Sequence, residues 1–156
     1  MKEGDIIQVA HVTRDLDRTM KNYWDTFGIG PWEVYTFAPP AVRDSMVRGK
    51  PSDHAYLLAV TWLGGVQLEL MQPLTGRSIY DECLERKGEG LHHMKLYYPD
   101  CHAALERFRR QGIEVLQSGK IDADEFYYLD TEKTLGFIVE VGNNGKIRAP
   151  ERRYPK

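Results

Sequence analysis

Gly90-Leu91-His92-His93-Met94-Lys95-Leu96-Tyr97-Tyr98-Pro99-Asp100 repeats, in pattern more than in identity, the earlier stretch Asp5-Ile6-Ile7-Gln8-Val9-Ala10-His11-Val12-Thr13-Arg14-Asp15. Each alternates apolar and polar residues roughly with period two and ends in an aspartate, the residue type that caps a helix N-terminus. Leu16, Met20, Tyr23, Trp24 and Phe27 follow the first cap at helical spacing, and Ala104, Leu105 and Phe108 follow the second. Glycines stop both helices, Gly28 and Gly30 in one case and Gly112 in the other. Gln8 lies seven residues before Asp15, and His93 lies seven before Asp100. Asp15 lies fourteen residues before Ile29, and Asp100 thirteen before Ile113, so strand, cap, helix and stop recur almost in register. A repeat of this kind implies two copies of one supersecondary unit.

Working outward, Trp32 to Phe37 reads as a strand, and Ala55 to Trp62 with Val66 to Met71 as a hairpin around Gly64 and Gly65. Ala38 to Asp53 carries Pro39, Pro40, Gly49 and Pro51 and reads as a long connecting loop. A short helix is expected over Ile79 to Arg86. In the second copy, Ile113 to Gln117, Phe126 to Asp130 and Gly136 to Val141 supply the remaining strands. The fold class is therefore α+β. Module one covers 5–74, a linker helix 77–87, and module two 90–142, each module βαβββ, with an extension over 143–156. That tail holds Lys146, Arg148, Arg152, Arg153 and Lys156 and reads as an exposed extension or a subunit-packing arm.

The chain has 156 residues, 28% of them charged, with 21 Lys plus Arg against 23 Asp plus Glu. A net charge of -2 leaves no general field for nucleic acid or an anionic membrane. The longest apolar stretches, such as Ala55 to Val60, are far shorter than a bilayer span, and the first residues lack a signal-peptide layout. A soluble, intracellular protein of the cytoplasm is expected. Cys83 and Cys101 form no CxxC pair and read as small buried residues.

Period-two alternation sorts the strands into helix-facing and open faces. Val66, Leu68 and Leu70 leave Glu69 on the other side, and Phe137, Val139 and Val141 leave Glu140 there. Gln8 and His93 occupy matching places in the first strands. Facing sheets then bring Gln8, Glu69, His93 and Glu140 into one cleft, where two carboxylates repel unless a cation holds them. One imidazole, two carboxylates and one amide oxygen suit a single divalent ion such as Co, Ni, Mn, Fe or Zn. His11 lies three residues from Gln8 and is expected on the opposite face, toward the first helix. His92 is likewise expected on the helix side, and Lys95 on the cleft face. Trp32, Tyr35, Phe37, Tyr127 and Tyr128 are candidates for the pocket wall.

These residues carry a resemblance. The two βαβββ units, the runs Leu68-Glu69-Leu70-Met71-Gln72-Pro73-Leu74 and Gly88-Glu89-Gly90-Leu91-His92-His93, and the strand Phe137-Ile138-Val139-Glu140 resemble the vicinal oxygen chelate superfamily over about Ile6 to Gly142. The glycine-histidine run is most similar to methylmalonyl-CoA epimerases, whereas the set Gln, Glu, His, Glu resembles the ligands of glyoxalase I. The resemblance implies an open barrel and a metal-dependent isomerase or epimerase that removes a proton beside a chelated carbonyl. It also implies catalytic roles for Glu140, Glu69 and Asp53, the last falling where the epimerases carry a basic glutamate, and it implies a homodimer. A glyoxalase-like lyase and a metal-free small-molecule-binding protein are the alternatives. The departure from the epimerase pattern is Gln8, where those enzymes have histidine.

Overall fold

The computed structural model describes residues 1–156 and consists of one curved, unclosed sheet of eleven strands with four helices. The first unit runs β1 (Ile6–Val12), α1 (Leu16–Phe27), β2 (Trp32–Phe37), β3 (Val42–Val47), β4 (Lys50–Pro51), β5 (Ala55–Leu63) and β6 (Val66–Thr75). After α2 (Ile79–Arg86) the second runs β7 (Gly90–Tyr97), α3 (Cys101–Arg109), β8 (Val115–Ile121), β9 (Asp124–Leu129), α4 (Glu132–Leu135) and β10 (Ile138–Gly142). A last strand, β11 (Arg152–Tyr154), closes the chain. Strand order is β11-β2-β5-β6-β1-β7-β10-β9-β8-β3-β4, so the two units join through the antiparallel pair β1 and β7. The expected α+β class and open barrel of two βαβββ units are what the structure has.

The caps sit where the repeat puts them. Asp15 accepts from the Arg18 backbone N–H at 3.0 Å and Asp100 from that of Ala103 at 2.9 Å, each satisfying an orphan helix donor. Leu16 and Met20 of α1 pack on Leu68 and Leu70, and Cys101 and Ala104 of α3 pack on Val139 and Val141. Burial of these helix faces leaves the opposite sheet face to form the interior of the barrel. Both cysteines are buried and free. Gly64 and Gly65 join β5 to β6 with Leu63 opposite Val66, and the turn holds Gly64 at φ +61°, which glycine adopts without strain. No helix is long and apolar enough to cross a membrane.

Three segments differ from the sequence expectations. Residues 38–53 are not an unstructured connection: β3 leaves its own unit and pairs antiparallel with β8, Val42 opposite Ile121 and Val47 opposite Gln117. The tail, expected as an exposed extension or a subunit-packing arm, is half-buried or exposed throughout but docks along its own chain. Gly145 donates to Asp124 at 3.1 Å, Arg148 pairs with Asp122, and Glu151 accepts from the Thr36 backbone and hydroxyl, both at 2.9 Å, before β11 pairs with β2. It therefore straps the second unit to the first across the cleft mouth. Gly145 is required there, because a Cβ would lie 2.0 Å from the Ala123 carbonyl oxygen. Finally, the β1–β7 ladder shifts register twice, between Ile6 and Gln8 and between Ala10 and His11. Each shift places one residue on a face that simple alternation denies it.

Candidate metal centre

In the ladder, Gln8 lies opposite Gln67 and Lys95, Ala10 opposite both Glu69 and His93, and Glu140 opposite Lys95. Partners across a ladder share a face, so Gln8, Glu69, His93, Lys95 and Glu140 all point inward from four adjacent strands. All five are buried, with 3–6% of their surface exposed. His93 Nε2 stands 2.9 Å from Glu140 Oε2 and 3.3 Å from Glu69 Oε2, and one ligand atom from each of the three lies within 4.8 Å of the others. Gln8 Nε2 donates to Glu69 Oε1 at 3.1 Å and also to Gln67 Oε1.

A divalent ion fits this donor set. His93 Nε2, Glu140 Oε2 and Gln8 Oε1 are buried without a hydrogen-bond partner, so His93 and Glu140 approach each other without the alignment of a hydrogen bond. Orphaned buried polar atoms are costly, and an ion taking their lone pairs removes that cost. Glu69, His93 and Glu140 are the residues that can hold it, and Gln8 can join them by rotating its amide to present Oε1.

The surrounding charges separate the two carboxylates. Burial pushes Glu69 above the usual carboxylate range, and the close approach of a charged His93 only partly offsets this. Burial acts on Glu140 in the same direction, but Lys95 and His93 outweigh it and hold it low. Lys95 Nζ lies 3.3 Å from Glu140 and 3.1 Å from Asp124, and these anions keep the fully buried ammonium charged against its desolvation. His93 is pushed up to about 9, because Glu140 and Glu69 more than offset its desolvation.

That shift sets a pH dependence. Without an ion, the folded state holds the His93 proton more tightly than the unfolded chain does. The stability this contributes is fully present below the ordinary value near 6.5 and is lost as pH rises through about 9. Denaturation of chelated protein should show a loss on the order of 3 kcal/mol across that window. Ion-loaded protein should show a much smaller loss, since the same nitrogen then carries no proton.

The site opens into a cleft of about 660 Å³, walled by Tyr35, Phe37, Tyr56, Leu58 and Phe126 and roofed by residues 144–150 of the strap. Tyr35, Phe37 and Tyr128 from the aromatic candidates face this cleft. Trp32 and Tyr127 do not; they pack in the clusters beneath α1 and α3. Asp53 is not brought to the site. It is exposed and lines a separate shallow depression with Asp44, Ser45 and Ser52. Alternation from Gln8 puts Ile7 on the outer face, yet it lines the cleft. His92 also differs from expectation: the bulge turns it inward beside His93, against Tyr80 of α2 and Tyr128. Alternation gave no signal for Asp124, whose role emerges only from its contact with Lys95.

His11 lies where expected, on the helix side, with Nδ1 3.1 Å from the Tyr23 hydroxyl. Two variants check this division of the strand. His11→Phe should retain metal and cost at most about 1 to 2 kcal/mol through repacking. Gln8→Ala should weaken metal binding with the fold intact, and elemental analysis with thermal melting reads both. Metal loss in the histidine variant, with Gln8→Ala unaffected, would contradict the assignment.

A buried, metal-competent cluster in a cleft between two βαβββ units defines a class of protein. The sequence profile of the Glyoxalase/Bleomycin resistance protein/Dioxygenase superfamily matches residues 7–128, and the chain belongs to that superfamily. Among curated proteins, uncharacterized protein YqjC of Bacillus subtilis (strain 168) is 35% identical over 89 residues, 50% of this chain and 58% of that protein, so the match spans little more than half of the relative. A structure of methylmalonyl-CoA epimerase in complex with methylmalonyl-CoA and NH4+ superposes with a TM-score of 0.65 at 20% identity, covering 96% of this chain and all of that one. Methylmalonyl-CoA epimerase from Mycobacterium tuberculosis gives 0.61 at 20% identity, covering 89% and 86%. At these identities the structures establish the fold alone.

Proposed function

We propose that the protein is a metal-dependent enzyme of the epimerase type, which removes and returns a proton beside the carbonyl of a small acid or thioester. The observation that carries this reading is the convergence of Glu69, His93 and Glu140, buried at the floor of a cleft with an apolar wall. Glu69, His93, Glu140 and Gln8 hold the ion. A divalent ion of the Co, Ni, Mn, Fe or Zn group supplies Lewis-acid stabilisation of negative charge developing on a substrate oxygen. Glu69, whose proton affinity burial raises, takes the proton from carbon. Glu140 stays anionic beside Lys95 and keeps its place. The strap and aromatic wall exclude water from the reacting carbon. A homodimer in the cytoplasm belongs to the same proposal, and sedimentation at micromolar concentration reads the assembly.

The position of Asp53 favours a second reading. Inversion at carbon needs proton carriers on both faces, and an exposed Asp53 outside the cleft supplies none. A single carboxylate moving a proton along one face would give a glyoxalase-like reaction instead. Incubation in deuterium oxide with a panel of 2-substituted 3-oxo acids and thioesters decides both questions. Deuterium should enter beside the carbonyl, cease on chelation and resume when the ion is restored. Racemised product supports the epimerase, and exchange with retained configuration supports the one-face reaction. No exchange by ion-loaded protein across the panel would contradict both.

A further inference from the structure

We propose that His92 is a positioning residue for the metal centre, its imidazole accepting a hydrogen bond from His93 and so fixing which nitrogen of His93 faces the ion. This rests on the metal-dependent reading above. His93 directs Nε2 at Glu69 and Glu140, and its Nδ1 lies 2.8 Å from Nδ1 of His92. An imidazole that binds an ion through Nε2 carries its proton on Nδ1, which must find an acceptor. Acceptors in that place are commonly a carboxylate or a backbone carbonyl; here a second imidazole stands there.

The sequence and ladder explain how two adjacent residues of a strand come to touch. Ala10 pairs with His93 and His11 with Leu91, so His92 is the extra residue of a bulge and turns to the same side as His93. The rings meet edge to face, 5.1 Å apart at 85°. Tyr80 and Tyr128 clamp His92 from two sides at 5.5 and 6.1 Å, and their hydroxyls bond each other at 2.8 Å. These contacts and its burial pack the His92 ring closely. Its Nε2 is buried without a partner in good hydrogen-bond geometry, the Ile79 backbone being the other polar group beside the ring, so the short contact to His93 is the well-formed one.

The test compares wild type with His92→Asn, whose amide oxygen can accept near the place of Nδ1, and His92→Phe, which keeps a ring and offers no acceptor. Zn2+ and Co2+ affinities are measured by competition with a chromophoric chelator, and the visible spectrum of the Co2+ form reports ligand geometry. His92→Phe should bind about 10- to 100-fold more weakly, with an altered Co2+ spectrum and a metal-free melting temperature within a few degrees of wild type. His92→Asn should recover most of the affinity and the spectrum. Equal affinity in wild type and His92→Phe would overturn the proposal, as would equal losses in both variants. Should either variant fail to fold, nitrogen-15 shifts of the Zn2+-loaded wild type decide: a proton on Nδ1 of His93 with none on Nδ1 of His92 supports it, and the reverse overturns it. A wild-type chain that takes up neither ion overturns the metal reading itself and this inference with it.

Discussion

Glu140→Ala is expected to purify without a divalent ion and to bind one more than a hundredfold more weakly than wild type. Loss of a group that merely orients a ligand costs about 10- to 100-fold, and Glu140 supplies both a ligand atom and a negative charge, so its removal costs more. Its Oε2 is one of the orphaned atoms at the centre and stands 2.9 Å from His93 Nε2. Glu69→Ala should behave alike, since either change leaves a single carboxylate facing the imidazole. The fold should persist, because Lys95 keeps Asp124 as a partner. Elemental analysis of the purified variants checks this, and near-full occupancy in Glu140→Ala would contradict the ligand assignment.

Lys95→Met is expected to destabilise the metal-free protein by about 3 to 5 kcal/mol, the usual cost of stripping one partner from a buried ion pair. Lys95 is buried between Glu140 and Asp124, and Gly142 opens the space for it: a Cβ there would lie 2.2 Å from its Cε. Methionine fills much of the same volume, so the loss reports charge rather than packing. Asp124 and Glu140 would then face each other's field with His93 as the one neighbouring cation, which raises the proton affinity of both. Adding Asp124→Asn to Lys95→Met should recover a large part of the loss, because one of the stranded anions is gone. Urea denaturation of the two variants and wild type measures this. A loss under about 1 kcal/mol in Lys95→Met would show that the ammonium is not needed to hold the acidic cluster.

The repeat made the fold and the centre legible. Asp15 and Asp100 mark equivalent helix starts, and counting back seven residues finds Gln8 and His93 on one face while assigning His11 to the other. Glu69 and Glu140 follow from alternation within β6 and β10, whose apolar partners pack beneath α1 and α3. Alternation fails where the ladder slips. Ile7 and His92 each sit at a register shift, and a bulge leaves no mark in a single sequence that separates it from continuous strand. Long-range pairing was equally invisible. The Val42-Arg43-Asp44-Ser45-Met46-Val47 run is too polar to announce a strand, and its partner β8 lies some seventy residues on. The tail is charged and proline-bearing, and its docking rests on scattered pairs such as Glu151 with Thr36 and Arg148 with Asp122. The role that the resemblance implied for Asp53 depended on where its side chain lies, and the residue between β4 and β5 is exposed outside the cleft, which a match of position in sequence does not reveal.

The most direct measurement is a calorimetric titration of chelated wild-type protein with Zn2+, Co2+ or Ni2+ at pH 7, repeated in buffers of different ionisation enthalpy to count released protons. His93 holds a proton up to about pH 9 in the ion-free site, and an ion bound at Nε2 must displace it. The expected result is saturable binding of one ion per chain with release of about one proton or more, both lost in Glu140→Ala. No saturable binding, or binding without proton release that survives Glu140→Ala, would contradict a metal centre built from Glu69, His93 and Glu140.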